Sequence, residues 1–367
     1  MVVSVLADVP LEVYVEYGLS PAQYSSRTAI VEVASREPSE LTLSSLQPET
    51  RYFYRLRHRR PGEETFAAEQ EQMFSTVRRP GTAFTFGVQG DSHPEQSAAF
   101  DTGLYARTLE HARREILDFY LMLGDDFALA PLAVGVAQTQ ATVDELYVRQ
   151  RGWLAPLGAS TPVFLVKGHA DQTSTSRTPF FPLPGPDYYA WTWGDALMVV
   201  LDAYGHSAGG PTVGASGGAG APVSPDTALG SVQAAWLRET LENSRARYAF
   251  VFAHDATNWD ASFHQLMVRS GVTVVFQGHA HLFERQVRDG VVYQTAPSPA
   301  DPASAMRGGG ATPRRDGVLP NSGHLRVNVS SDAVRVDYVR SFLPKDESPT
   351  QQDGDVAFTY SVRARRP

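Results

Sequence analysis

Seven histidine and aspartate side chains recur at one kind of place, just after short apolar runs. Asp91 and His93 follow residues 84–88, Asp125 follows 119–123, and His169 follows 163–166. His254 closes the run 248–253, and His279 and His281 follow 272–277. One histidine at a strand end is usually a surface or hydrogen-bonded residue. Five sets at successive strand ends are different, because these groups gathered on one edge would be costly to bury without a cation. Two divalent ions would offset that cost and suit imidazole and carboxylate ligation. The chain has no cysteine, which removes thiolate ligands, disulfides and a Cys nucleophile. Any metal must then be held by imidazole, carboxylate or amide. No serine, Ser92 included, has a convincing local triad partner.

The elements that must position these groups follow from periodicity. Residues 11–17 alternate apolar and polar, Gly18 breaks the run, and further strands are expected at 28–34, 40–46 and 51–57. Leu46 to Tyr52, with Pro48 and Glu49 at the turn, fits a tyrosine corner, in which a Tyr hydroxyl bonds to backbone a few residues upstream. Residues 1–78 therefore read as a small all-β sandwich resembling a fibronectin type III domain, and 78–81 as a linker. From residue 79 to 367 strands alternate with helical stretches, which implies an α/β layered domain. Helices are expected at 104–117, 144–157, 231–243 and 263–269, a hairpin over 188–201, and closing strands at 325–329, 333–338 and 356–361. Residues 206–226 and 297–321, rich in Gly, Ala, Ser and Pro, are expected to be flexible. In layered α/β folds ligands bind at the carboxyl ends of the strands, where the seven groups fall.

Those residues resemble the calcineurin-like metallophosphoesterases: Asp91-x-His93, Gly124-Asp125, a loop led by Gly168, His254, and Gly278-His279-Ala280-His281. The longer block through Leu282-Phe283-Glu284-Arg285, with the leading sandwich, is similar to purple acid phosphatases and their bacterial relatives. The resemblance implies a four-layer α/β/β/α sandwich over most of the chain and hydrolysis of phosphoric esters. It implies that Asp91, His93 and His281 hold one metal and that His254 and His279 hold a second. The residue after Gly168 would complete the second site, and Asp125 would bridge the two. Such a metal pair polarises phosphoryl oxygens and supplies an activated water for in-line attack. Asp125, His169 and Asp171 are the candidate catalytic groups.

Two departures from the family pattern matter. Purple acid phosphatases place a tyrosine ligand three residues after the bridging Asp, where this chain has Ala128. That disfavours a ferric charge-transfer site and favours Zn, Mn or Fe(II). The family's Gly-Asn-His-Asp/Glu loop reads Gly168-His169-Ala170-Asp171 here. Aligned without a gap, His169 replaces the amide ligand and Ala170 the catalytic histidine. Aligned with a gap, the amide is lost and His169 is the catalytic group. Loss of a general acid would favour activated, aryl leaving groups. The resemblance leaves open a broad phosphatase, a phosphodiesterase or nucleotidase, and a degenerate binding module of the same fold.

Composition bounds the partners. A net charge of -8 over 367 residues argues against a nucleic-acid or membrane-surface binder, and the resemblance implies a small phosphate ester as the partner. No apolar run is long enough for a membrane helix. Met1 to Asp8 lacks the basic and apolar regions of a signal peptide, while the resemblance implies a secreted or periplasmic protein. His324 is expected to line the pocket or cap a strand, Asp202 to support the metal ligands from behind or lie in a turn, and Asp255 to orient His254. Trp191 and Trp193 read as packing residues.

Overall fold

The computed structural model describes residues 1–95, 99–126, 139–168, 171, 180–182, 187–204, 225–257, 259–302 and 317–364. The first 75 residues hold eight strands: β1 (Val2–Val5), β2 (Leu11–Gly18), β3 (Ser26–Arg27), β4 (Val31–Val33), β5 (Ser39–Thr42), β6 (Arg51–Arg59), β7 (Ala67–Ala68) and β8 (Gln72–Ser75). Four were expected. The others have two to four residues, too few for an alternation pattern to register. β1 pairs only with β5, and β2 and β6 form the centre of the second sheet. Val13, Val15, Leu41, Tyr52 and Phe74 close a core between them. The tyrosine corner is present: the Gln47 amide donates to Tyr52 Oη at 2.9 Å.

The rest of the chain is a four-layer sandwich. Among the described residues one sheet has six strands: β9 (Phe84–Gln89), β10 (Phe119–Met122), β11 (Val163–Leu165), β19 (Gly323–Val329), β20 (Ala333–Arg340) and β21 (Val356–Arg363), in the order β11-β10-β9-β19-β20-β21. The other has seven: β12 (Tyr189–Trp193), β13 (Ala196–Val200), β14 (Tyr248–Phe252), β15 (Val274–Gln277), β16 (Phe283–Arg288), β17 (Val291–Thr295) and β18 (Val318–Leu319). Their order is β12-β13-β14-β15-β17-β16-β18. β9, β10 and β11 run parallel, as do β13, β14, β15 and β17.

Helices α1 (Thr102–Arg114) and α2 (Gln140–Gly158) cover the first sheet, and α3 (Gly230–Asn243) and α4 (Ala261–Arg269) the second. Strict alternation divides the layers. Phe119 and Leu121 face the other sheet, while Tyr120 and Met122 face α1 and α2. Phe250 and Phe252 face inward, and Ala249 and Val251 pack under the helices of the second sheet. Strands buried on both faces read as unbroken apolar runs, which is why the sequence marks them so clearly. Trp191 and Trp193 pack on Phe119 in the core, as expected.

One expectation changes. Residues 297–302 are ordered and largely buried, with Ser298 at 0% and Asp301 at 1% exposure. Hydrogen bonds to Ser298 and Asn321 hold them; residues 303–316 lie outside the described residues. Of the other stretch expected to be flexible, residues 206–224 lie outside the described residues, and Pro225 and Asp226 open a short helix, Pro225–Ala228.

Candidate metal centre

Parallel strands deliver the polar groups to one edge. β9 ends before Asp91 and His93, β10 before Asp125, β14 before His254, and β15 before His279 and His281. Register places these strand ends side by side: Gln89 pairs with Met122, and Phe252 with Phe276. Two donor groups result, Asp91 with His93 and His281, and Asp125 with His254 and His279. Within each, the nearest ligand atoms all lie within 4.8 Å of one another. The groups are contiguous, with His254 Nε2 3.4 Å from Asp125 Oδ2 and 3.9 Å from Asp91 Oδ1. His93 Nε2 stands 3.8 Å from Asp125 Oδ2.

The backbone at this edge is strained in a consistent way. Asp91, His93, Asp125, His279 and His281 all have positive φ, between 37° and 68°. Non-glycine residues there cost about 1 kcal/mol or more each, a price that clusters at functional sites.

Two glycines of the motifs are explained by close approach. A Cβ on Gly168 would lie 2.1 Å from Asp125 Oδ1, and one on Gly278 would lie 2.6 Å from Asp91 Oδ2. Gly278→Ala should therefore displace Asp91, lowering stability by about 1–3 kcal/mol. Chemical denaturation checks the stability loss, and metal titration should show weakened uptake.

Electrostatics fit a cation. Asp91 and Asp125 are 0% and 1% exposed. Among the described residues Asp91 Oδ1 has no well-formed hydrogen bond; it faces His281 Nε2 at 3.4 Å and His254 Nε2. Burial opposes charge on His254, yet Asp125, Asp91 and a bond to Leu123 hold its imidazole up at about 10. His281 is likewise raised to about 9 against burial, by Asp91 and Asp301. Burial would raise Asp91, but the charges of His281 and His254 bring it below its ordinary value. Both imidazoles thus sit in a negative potential that a metal ion would neutralise. Nitrogen and oxygen donors from two histidines and one carboxylate per group match Zn, Mn or Fe.

Asp171 lies behind Asp125. Its Oδ2 accepts from the Asp125 amide at 3.1 Å and the Gly168 amide at 2.9 Å, stapling two site loops. Burial and the charge of Asp125 push its carboxyl up to about 6. Asp126, which sequence reasoning passed over, is also buried, and burial with the charges of Asp171 and Asp125 raises it strongly. The doubled acid after Gly124 was the available signal.

His169 and Ala170 lie outside the described residues, as does Ala128. His324 is elsewhere: it is fully buried under α1, with Nε2 3.0 Å from Glu115 Oε2. Asp255 does not orient His254. Its Oδ1 caps Thr257, while His254 Nδ1 lies 2.8 Å from the Leu123 carbonyl, whose position sequence could not supply. Asp202 sits in a turn, accepting weakly from the Tyr204 amide at 3.4 Å.

A two-sheet core flanked by helices, with these groups along its carboxyl edge, defines a metallophosphoesterase-type sandwich. The chain belongs to the calcineurin-like phosphoesterase family, whose sequence model matches residues 84–283. Among solved structures it is similar to a purple acid phosphatase from seeds of yellow lupin (Lupinus luteus), with 12% identity and a TM-score of 0.68 over 99% of this chain and 72% of that one. It is also similar to PhoD, with 14% identity and a TM-score of 0.68 over 98% of this chain and 84% of the other. A weaker likeness, at 13% identity and a TM-score of 0.51, covers 77% of this chain and 89% of an inner-membrane-complex anchor of Plasmodium. At such identities the likeness is one of fold. No curated protein sequence matches the chain.

Proposed function

We propose that this chain is a dinuclear-metal hydrolase of phosphoric esters. The observation that carries the reading is the pair of contiguous donor groups at one strand edge. Asp91, His93 and His281 would hold one ion, and His254 and His279 the other. Asp125, whose Oδ2 faces both His93 and His254, would bridge them, and His169 is proposed as a further ligand. When bound, the two ions supply Lewis acidity and lower the pKa of water toward neutrality. The chain's own residues set the geometry. The Leu123 carbonyl fixes the His254 tautomer, and Asp171 holds the amides of Asp125 and Gly168 so that the bridging carboxylate stays in place. Asp171 thus acts by positioning.

The substrate is proposed to be a small phosphate ester with an activated, aryl leaving group, because in the gap-free alignment Ala170 stands where the family carries its catalytic histidine. Residues 1–78 are proposed as a fibronectin type III-like module beside a catalytic unit of 79–367, and the protein as secreted or periplasmic. No described helix is long and apolar enough to cross a membrane. Metal-depleted protein should be inactive on p-nitrophenyl phosphate and bis-p-nitrophenyl phosphate, and Zn or Mn should restore turnover. Two tightly bound equivalents without turnover of either ester would favour a binding module instead.

A further inference from the structure

The turn after β17 carries a carboxylate to the back of one donor group. Its sequence, Ala-Pro-Ser-Pro-Ala-Asp-Pro over residues 296–302, has the composition of a surface loop. Yet Ala296, Ser298, Ala300 and Asp301 are at most 1% exposed. A carboxylate so placed needs polar partners to offset its lost hydration. Asp301 Oδ2 lies 3.5 Å from His281 Nδ1, while the opposite ring nitrogen, Nε2, lies 3.4 Å from Asp91 Oδ1. The imidazole is held between two carboxylates, one on each nitrogen.

A hydrogen-bonded circuit fixes the turn that delivers Asp301. Ser298 Oγ donates to the Asp91 carbonyl at 2.8 Å and accepts from the Asp301 amide at 3.1 Å. The Ser298 amide donates to Asn321 Oδ1 at 3.0 Å, and Asn321 Nδ2 donates to the His281 carbonyl. The circuit joins Asp91, from the first sheet, to His281, from the second. His254 is held differently, by the neutral Leu123 carbonyl. A histidine that ligates through one nitrogen carries its proton on the other, and the acceptor of that proton sets both tautomer and ring orientation.

We propose that Asp301 is a positioning residue for the ion of Asp91, His93 and His281: it accepts the Nδ1 proton of His281, so that Nε2 presents its lone pair beside Asp91. The proposal rests on the metal-centre reading above. It concerns one ion of the two, which separates it from a general role in folding.

The test is zinc titration against a competing chelator for the wild-type chain, Asp301→Ala and Asp301→Asn, with melting curves of the metal-free forms. The wild type should take up two equivalents. Asp301→Ala should weaken one of them by about 10–100-fold and leave the other within about threefold. Asp301→Asn, which keeps an acceptor oxygen, should recover part of the loss. Unchanged affinity in Asp301→Ala, or equal weakening of both equivalents together with a lowered melting temperature, overturns the proposal while the metal-centre reading stands. A wild type that takes up no zinc defeats both. If Asp301→Ala fails to fold, 15N-histidine NMR of the zinc-loaded wild type decides. A protonated His281 Nδ1 supports the proposal, and ligation through Nδ1 overturns it.

Discussion

Asp125→Ala is expected to lower kcat/KM on aryl phosphates by about 10³-fold or more, because several kcal/mol of charge stabilisation would depend on both of the proposed ions. The side chain is 1% exposed, and its Oδ2 lies 3.4 Å from His254 Nε2 and 3.8 Å from His93 Nε2. Asp91 Oδ1 also faces a histidine of each group, at 3.4 Å from His281 Nε2 and 3.9 Å from His254 Nε2. Steady-state kinetics and metal stoichiometry check the expectation together. The variant should also lose the wild-type thermal shift on adding metal, which for a ligand at about 1,000 times its Kd corresponds to about 4 kcal/mol. Asp255→Asn is the useful contrast. That side chain caps Thr257 rather than a ligand, and its activity should stay near wild type.

The second large effect concerns the leaving group. Ala170→His should raise turnover of alkyl phosphates by about 10²–10⁴-fold, the usual range for general acid assistance. Turnover of p-nitrophenyl phosphate, whose leaving group needs little protonation, should rise far less. Measuring kcat on both substrates for both proteins gives the ratio directly. Equal gains on the two would remove leaving-group protonation as the reason for the proposed aryl preference.

How much of this was legible in the sequence depends on what each residue is asked to do. Residues 84–88, 119–123, 248–253 and 272–277 stand out because strands buried on both faces need no polar alternation. Each is followed by the groups that meet at the edge, so six of the seven side chains expected there are described and gathered. His169, the seventh, lies outside the described residues. Gly168 and Gly278 were motif letters in the sequence; the reason for them is the carboxylate within 2.1–2.6 Å of a would-be Cβ.

What stayed hidden depends on long-range contact. The Leu123 carbonyl meets His254 across 131 positions, and Ser298 Oγ meets the Asp91 carbonyl across 207. No local pattern encodes such a pairing. Composition pointed the wrong way at 297–302, where proline-rich turn chemistry describes a segment that tertiary hydrogen bonds bury. Asp255, adjacent to His254, looked like its orienting carboxylate and instead closes a local turn, as Asp side chains do with the residue two positions on. The short strands of the leading sandwich failed for lack of length.

The central claim is that two ions are held at this edge by separate but contiguous donor groups. Anomalous scattering from crystals grown with zinc or manganese tests it most directly. The expected result is two peaks about 3.5–4 Å apart, one bounded by Asp91, His93 and His281 and the other by His254 and His279, with Asp125 between them. A single peak at full occupancy, or metal bound away from Asp125, would contradict it.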